Sequence, residues 1–195
     1  KIQTSLGEGV SILAQNLSEK DLVLLRGYGF LSAKPVLAVL NVGEDQIGES
    51  TGALGVEVAE GEAPPVVVGA QLEEELAQLD DDEQAVFLAD YGLDRPARDR
   101  VIQASFALLG LECFLTVGED EVRAWPIRRG TSALKAAGSI HSDLERGFIR
   151  AEVISYDDFV AAGSMAAARD KGVLRIEGKD YEVKDGEIMH VRFNV

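Results

Sequence analysis

Cysteine, histidine and aromatic residues are scarce in this sequence. Its 195 residues include one Cys and two His, and only 6% are Phe, Trp or Tyr. A single cysteine, Cys113, cannot form an internal disulfide, which is typical of a reducing compartment. Its apolar neighbours favour a buried structural thiol. Two histidines are too few for a histidine metal cluster, so we expect no metal site and interpret His141 as a structural residue at a helix end.

Long apolar runs and positive charge are lacking as well. No run of roughly 18 or more apolar residues occurs, so we expect no membrane-spanning helix and no membrane partner. The formal net charge of −15 argues against strong non-specific binding to nucleic acid, and we expect no DNA partner. The start at Lys1 has neither Met nor a signal segment, which we interpret as a cut within a longer protein or an artificial boundary. The expected location is the cytoplasm.

One segment departs from this acidic background. Residues 121–150 contain six Lys or Arg and three Asp or Glu, a net charge of +3, so the rest of the chain carries −18. Arginine can bind phosphate through two parallel hydrogen bonds. Five arginines are therefore candidates for docking on RNA or another acidic partner: Arg123, Arg128, Arg129, Arg146 and Arg150. The alternative is local ion pairing with the carboxylates of the same segment.

The first part of the chain has an α/β pattern. A helix capped by Asn16 or Ser18 comes first. The apolar runs 36–40 and 64–68 predict strands buried on both faces, as in a parallel sheet. Helical spacing of apolar residues predicts three further helices, over residues 72–79, 83–90 and 99–109.

From residue 111 the pattern changes to short strands around one helix. We expect strands over 114–117, 122–127 and 148–154, a helix over 132–140, and three extended runs over 173–176, 179–183 and 188–193. Gly-containing turns at 177–178 and 184–186 predict hairpins between these runs. A small mixed sheet crossed by one helix is a β-grasp arrangement.

Four contiguous blocks, residues 121–131, 136–153, 156–159 and 177–181, together with Asp185-Gly186 and Phe193-Asn194, resemble one known family. It is the YchF/Obg-like ATPases, Obg-related P-loop NTPases with a C-terminal TGS domain. The resemblance implies an α/β fold in which the remnant of a P-loop NTPase parallel sheet precedes a β-grasp, ubiquitin-like TGS domain. It implies three parts: a helical lead-in over 1–30, the C-terminal half of the nucleotide domain over 31–110, and the TGS domain over 111–195.

The run Asn41-Val42-Gly43-Glu44 resembles the family's altered base-recognition motif, Asn-x-x-Glu. Most translational GTPases have Asn-Lys-x-Asp there, whose Asp accepts hydrogen bonds from guanine, so the altered motif weakens guanine selection. Gly69 and Ala70 follow the next strand, where the family's last nucleotide loop falls. The resemblance therefore implies nucleobase contacts by Asn41, Val42, Glu44, Gly69 and Ala70. The alternative for Asn41 and Glu44 is a polar exit from a strand.

The phosphate-binding motif Gly-x-x-x-x-Gly-Lys-Ser/Thr is missing from this sequence. We therefore assign no catalytic residue, and expect this chain alone to be inactive and to hold no tightly bound cofactor. The resemblance implies an intact protein that binds and hydrolyses ATP, with GTP as a second candidate, using Mg²⁺. It also implies association with the ribosome or ribosomal RNA and a role in translation or stress control.

A second class of function stays open, namely a free-standing TGS-type module that binds RNA, the ribosome or a protein without nucleotide chemistry. Trp125 and Phe148 are candidates for stacking on RNA bases, with core packing as the alternative. The acidic runs 73–75 and 80–83 are interpreted as solvated surfaces.

Overall fold

The computed structural model describes residues 2–58, 63–118 and 120–194. The chain divides into two compact units, residues 1–108 and residues 109–195. Both units combine helices with strands, which confirms the predicted α/β class. Lys1 and Val195, the outer limits of the expected parts, lie outside the described residues. None of the helices in the described part of the chain combines the length and apolarity needed to cross a bilayer.

The first unit begins with short helical segments. They are the helices α1 (Ile2–Gly7) and α2 (Glu19–Leu25) and the 3₁₀ turns Leu13–Gln15, Arg26–Tyr28, Leu31–Ala33 and Glu44–Gln46. The helix α2 begins where it does because the Ser18 hydroxyl accepts a hydrogen bond from the Asp21 N–H. Ser18, one of the two predicted caps, is thus confirmed.

A short parallel ribbon follows. The strands β1 (Val39–Asn41) and β2 (Val66–Val68) pair in parallel, with Val39 opposite Val66, which confirms the predicted direction. The prediction that both strands are buried on both faces is wrong, because Val39 of β1 is 47% exposed and the three residues of β2 are only partly buried. In the described part of the chain this sheet has two strands, and so narrow a ribbon is not covered on all sides.

In the described part of the chain, three helices follow β2 before residue 110: α3 (Ala70–Leu76), α4 (Asp81–Asp90) and α5 (Ala97–Leu109). The helix α4 begins two residues earlier than predicted because Asp80 and Glu83 form a reciprocal capping box. The small core of the first unit consists of buried Leu72, Leu76 and Leu88. Partly buried side chains pack around it: Ile47, Leu79, Phe87, Tyr91 and Leu93.

In its described residues, the second unit is a five-stranded mixed sheet with helices on both faces. Its elements are β3 (Leu111–Val117), β4 (Val122–Arg128), α6 (Ala133–Ile140), α7 (Ser142–Arg146), β5 (Phe148–Ser155), α8 (Tyr156–Ala162), α9 (Met165–Asp170), β6 (Arg175–Glu177) and β7 (Glu187–Phe193). The strand order is β4-β3-β7-β5-β6. The strands β3 and β7 run parallel, and the other neighbours run antiparallel.

Alternation along the strands produces a core on each face of this sheet. One core packs the alanines of α6 against Phe114, Phe148 and Met189. Phe148 is only 5% exposed, so its role is core packing, and the prediction that it stacks on RNA bases is wrong. Trp125 is partly buried against the same core, and its Nε1–H donates to Thr116 Oγ1 over 2.9 Å. The other core joins Ile154 and Ile188 to α8 and α9.

The predicted hairpins near the end of the chain are wrong. The strand β6 pairs with β5, and β7 lies between β3 and β5, so β6 and β7 are not neighbours. Residues 179–183 form a single bridge, between Ser132 and Glu182, instead of a strand. The reason is that their backbone bonds serve the start of α6: the Tyr181 carbonyl accepts from Ala133 N–H over 2.7 Å, and Val183 N–H donates to Thr131 over 3.1 Å.

A buried carboxylate fixes this irregular segment. Glu187 is 5% exposed and accepts hydrogen bonds from the Tyr181 hydroxyl over 2.7 Å, from Lys184 N–H over 2.9 Å and from the Arg175 guanidinium. Burial and the hydrogen bond to Glu187 raise the pKa of Tyr181 to about 12. The buried charge is thus fully paired, as a low-dielectric site requires.

We predict that Gly147→Ala destabilises the chain, while Gly178→Ala does not. A Cβ at Gly147 would lie 2.3 Å from the Asn194 carbonyl oxygen, a backbone atom, whereas nothing lies within 4 Å of one at Gly178. Relieving such a clash typically costs about 1–3 kcal/mol. Urea unfolding of the two variants measures the difference, and equal stability would contradict the close approach at Gly147.

Candidate functional site

The carboxyl ends of β1 and β2 meet at one edge of the parallel ribbon. Asn41 ends β1, and Gly69 follows β2 directly. The Asn41 Oδ1 accepts a hydrogen bond from Ala70 N–H over 3.0 Å, and Val42 N–H donates to the Val68 carbonyl over 2.9 Å. Asn41, Val42, Gly69 and Ala70 are therefore brought together, although Asn41 and Ala70 lie 29 residues apart.

The hydrogen bond to Ala70 determines what the Asn41 side chain offers to a ligand. Because Oδ1 is occupied by the Ala70 N–H, the Nδ2 amide remains as an exposed donor. The Ala70 N–H is itself engaged in this bond. A base at this edge would therefore accept a hydrogen bond from Asn41 Nδ2 and not from the Ala70 N–H.

Glu44 lies at the start of the 3₁₀ turn that follows β1. One of its carboxylate oxygens, Oε1, accepts a hydrogen bond from the hydroxyl of Tyr91, which caps the end of α4. This hydrogen bond raises the pKa of Tyr91, with smaller contributions from burial and nearby carboxylates. The sequence analysis missed Tyr91. The only indication in the sequence is that this residue is an aromatic with a polar hydroxyl at the end of a predicted helix.

A small recess lies beside these residues. Its volume is about 50 Å³, and it is lined by Val42, Gly43, Glu44, Ile47, Gly69, Gln71, Leu72 and Glu75. Sites that enclose a drug-sized ligand measure roughly 300–1,000 Å³, so this recess can contact one edge of a flat base without enclosing it. A Cβ at Gly69 would lie 2.6 Å from Ile47 Cδ1, so a larger residue there would displace the end of the Ile47 side chain in the wall of the recess.

A larger cavity lies away from the site, at the amino ends of the two strands. Its volume is about 400 Å³, and it is lined by residues that include Leu13, Leu31, Lys34, Val36 and Pro65. Most of its lining residues are aliphatic, and among the described residues it brings no pair of titratable side chains into hydrogen-bonding contact. Size alone therefore does not identify the functional site of this unit.

The five candidate docking arginines have different environments. Arg123 lies over the Trp125 ring, 4.5 Å from its centroid, and 4.0 Å from a Glu121 oxygen. Arg129 lies 4.0 Å from the buried Glu112, and Arg146 pairs with Asp143. Arg128 and Arg150 are exposed and have no ion-pair partner in the described part of the chain. Ion pairing within and beyond the basic segment thus accounts for three of the five.

These arginines do not form one patch. Alternation along β4 directs Arg123 and Arg128 to opposite faces of the sheet. Arg146 belongs to α7, and Arg150 belongs to β5, which β3 and β7 separate from β4.

The structure brings a different set of cations together around buried Glu152. Its carboxylate accepts hydrogen bonds from Arg169 and Arg192, each over 3.2 Å, and Arg192 lies opposite Arg150 in the sheet. Although burial opposes it, the hydrogen bond from Arg192 lowers the pKa of Glu152. The sequence contains one signal for this grouping, since Arg150 and Glu152 are two positions apart on one strand and therefore lie on the same face of the sheet. The partners of Glu152 on β7 and α9 were not predictable from it.

His141 has the structural role that the sequence predicts. It caps α7, and its Nδ1 accepts a hydrogen bond from Asp143 N–H over 3.1 Å. Across residues 2–58, 63–118 and 120–194, no group of three or more His, Cys, Asp or Glu side chains could hold a metal ion.

Comparison with known proteins gives consistent matches. The family model YchF-GTPase_C, described as a protein of unknown function (DUF933), matches residues 111–194. The ribosome-binding ATPase YchF of Pasteurella multocida is 46% identical over 197 residues, which cover 100% of this chain and 54% of that protein. Its counterpart in Bacillus subtilis is 45% identical over 183 residues, which cover 91% of this chain and 50% of that protein. The chain belongs to the YchF family.

A solved structure agrees with this assignment. The YchF GTPase of Schizosaccharomyces pombe superposes with a TM-score of 0.77 and 26% identity, covering 97% of this chain and 52% of that one. The family resemblance seen in the sequence and the α/β fold are therefore confirmed. This chain spans about half the length of the YchF relatives it matches.

We predict that Asn41→Ala frees the Ala70 amide. Because Asn41 Oδ1 is the acceptor for this N–H, hydrogen exchange at Ala70 should accelerate in the variant. The matched control is Gln46→Ala, an exposed position on the next turn, which should leave exchange at Ala70 unchanged. Unaltered exchange at Ala70 in Asn41→Ala would refute the link between the two strand ends.

Proposed function

We propose that this chain is part of a ribosome-associated P-loop NTPase that binds and hydrolyses ATP with Mg²⁺. In this proposal residues 31–110 supply the base-recognition loops of the nucleotide domain, and residues 1–30 belong to a helical lead-in. Residues 111–195 form a β-grasp TGS domain that docks on the ribosome or ribosomal RNA in the cytoplasm. The observation that carries the nucleotide part is the hydrogen bond from Ala70 to Asn41 at the edge where Glu44 also lies.

The donors and acceptors of this edge complement adenine. Adenine has an acceptor at N7 and an amino donor at N6, whereas guanine has an acceptor at O6. Asn41 Nδ2 can donate to N7, and the Glu44 carboxylate can accept from the adenine amino group. A guanine O6 in the same position would face a carboxylate, two acceptors without a proton between them, which is unfavourable. Val42, Gly69 and Ala70 then contribute the backbone walls of the base site.

Phosphate chemistry belongs to other parts of the whole protein in this proposal. Residues 1–195 contain no Gly-x-x-x-x-Gly-Lys-Ser/Thr loop, and the YchF relatives are about twice as long as this chain. The β- and γ-phosphates, Mg²⁺ and the catalytic groups are therefore assigned outside it, and no residue of this chain is catalytic.

The docking role rests on the mixed sheet of residues 111–194, which α6 crosses on one face, and on its exposed cations. Two curated relatives are named ribosome-binding ATPases. Exposed Arg128 and Arg150 are the candidates best able to reach a phosphate, because the described residues give them no competing carboxylate. Arg123, stacked on Trp125, offers an additional contact. Arg129 and Arg146 would have to break their ion pairs with Glu112 and Asp143 before they could bind a phosphate of the partner.

A second candidate is a free-standing TGS-type module without nucleotide chemistry, which binds RNA, the ribosome or a protein. The small recess of about 50 Å³ and the missing phosphate loop favour it. It uses the same surface of residues 111–194, but predicts no response to nucleotide.

The test is ATP binding by the intact protein that contains this chain, measured by calorimetry. The double variant Asn41→Ala, Glu44→Gln should weaken ATP binding by roughly tenfold or more, since it removes one donor and one charged acceptor. The matched control, Gln46→Ala with Glu49→Gln, changes two exposed neighbours and should bind as the native protein does. ATP binding that survives the double variant would contradict the proposed base site.

Co-sedimentation with ribosomes separates the two candidate functions. Dependence of ribosome binding on ATP supports the NTPase, and binding that ignores nucleotide supports the free-standing module. In either case Arg128→Ala with Arg150→Ala should weaken sedimentation and reduce its salt dependence. Arg98→Ala, a cation 77% exposed in the first unit, is the control.

A further inference from the structure

Tyr91 is bound to the proposed base-reading carboxylate but does not belong to the base-recognition motif. Its hydroxyl donates to Glu44 Oε1, and the two residues lie 47 positions apart in the sequence. A phenol has a single proton to donate, so the contact occupies one carboxylate oxygen and leaves Oε2 free as an acceptor. Tyr91 thus acts on the residue that would distinguish adenine from guanine.

Tyr91 is held more firmly than Glu44. Its ring lies 5.5 Å from that of Phe87, centroid to centroid, and packs on the core of buried Leu72, Leu76 and Leu88. Its backbone N–H donates to the Leu88 carbonyl over 3.1 Å at the end of α4. Glu44, by contrast, is an exposed side chain on a 3₁₀ turn with several rotamers open to it. The hydrogen bond therefore restrains the Glu44 carboxylate by attaching it to the more rigid end of α4.

The surroundings keep Tyr91 in its donor form. The Glu44 carboxylate stabilises the protonated phenol through the hydrogen bond, and the charges of Glu75 and Asp90 oppose formation of a phenolate, so the pKa of Tyr91 is raised. Glu75 also lines the recess beside Glu44. A neutral hydroxyl orients Glu44 without neutralising it, whereas a Lys or Arg in its position would pair with the charge.

We propose that Tyr91 is a positioning residue that fixes the Glu44 carboxylate so that its free oxygen meets the amino group of an adenine base. This inference rests on the proposed nucleotide function. Without the hydroxyl, Glu44 is free to turn into solvent, and ordering it again on binding lowers the affinity for ATP. Affinity for GTP should change less, because in the proposed base orientation the Glu44 carboxylate faces guanine O6, which cannot donate a hydrogen bond to it. Tyr91 is thus a determinant of base selectivity.

The experiment compares dissociation constants for ATP and GTP in the intact protein and in its Tyr91→Phe, Glu44→Gln and Tyr28→Phe variants. Phe keeps the ring packing and removes only the hydroxyl, and Tyr28 is a control tyrosine that is 74% exposed. We expect Tyr91→Phe to reduce the preference for ATP over GTP by roughly three- to tenfold, the value of one hydrogen bond. Tyr28→Phe should leave the preference unchanged. Thermal unfolding at the native temperature in both variants would show that a folding defect does not cause the change in preference.

Three outcomes are distinguishable. A fall in preference with Tyr91→Phe, towards that of Glu44→Gln, supports the inference. A native preference in Tyr91→Phe combined with a lost preference in Glu44→Gln overturns the role of Tyr91 and leaves the proposed function intact. No effect of Glu44→Gln overturns the base site itself, and with it the role of Tyr91. As a readout of the contact alone, NMR should show the pKa of Tyr91 falling towards its ordinary value in Glu44→Gln.

Discussion

In both units the fold depends on two strands that lie far apart in the sequence and run parallel side by side. Val39 pairs with Val66 in the first unit, and Leu115 pairs with Ile188 in the second. Parallel neighbours cannot be joined by a tight turn, so each such pair needs a longer connection. In the first unit this constraint brings two carboxyl ends to one edge, and the Ala70 amide can then donate to Asn41. The candidate base site is a consequence of that geometry.

Local signals in the sequence predicted most elements of the fold. The cap at Ser18 was one of two predicted for the first helix, and apolar spacing located the three helices that follow β2, whereas the capping box at Asp80 was not predicted. The predictions failed where a segment forms its backbone hydrogen bonds with residues distant in the sequence. Residues 179–183 have strand-forming composition, yet their backbone hydrogen bonds go to Thr131 and Ala133 at the start of α6. No turn signal could reveal that tertiary contacts override the local hairpin preference.

The candidate site was predictable only in part, for the same reason. Strand order and a family motif were enough to bring Asn41 and Gly69 to one edge. Tyr91 was not predictable, because nothing near it in the sequence indicates that the end of α4 meets the turn after β1. The grouping of Arg169 and Arg192 around Glu152 likewise depends on which elements flank β5. The predicted basic segment therefore gave candidate residues without their spatial arrangement.

We propose that the edge beyond β1 and β2 recognises an adenine base. The most direct measurement is an NMR titration of the ¹⁵N-labelled chain with ATP and, separately, with GTP. We predict that ATP shifts the amide signals of Val42, Gly69 and Ala70, and that GTP at the same concentration shifts them less. Equal responses to the two nucleotides, or shifts confined to Lys34 and Val36 at the larger cavity, would contradict adenine recognition at this edge.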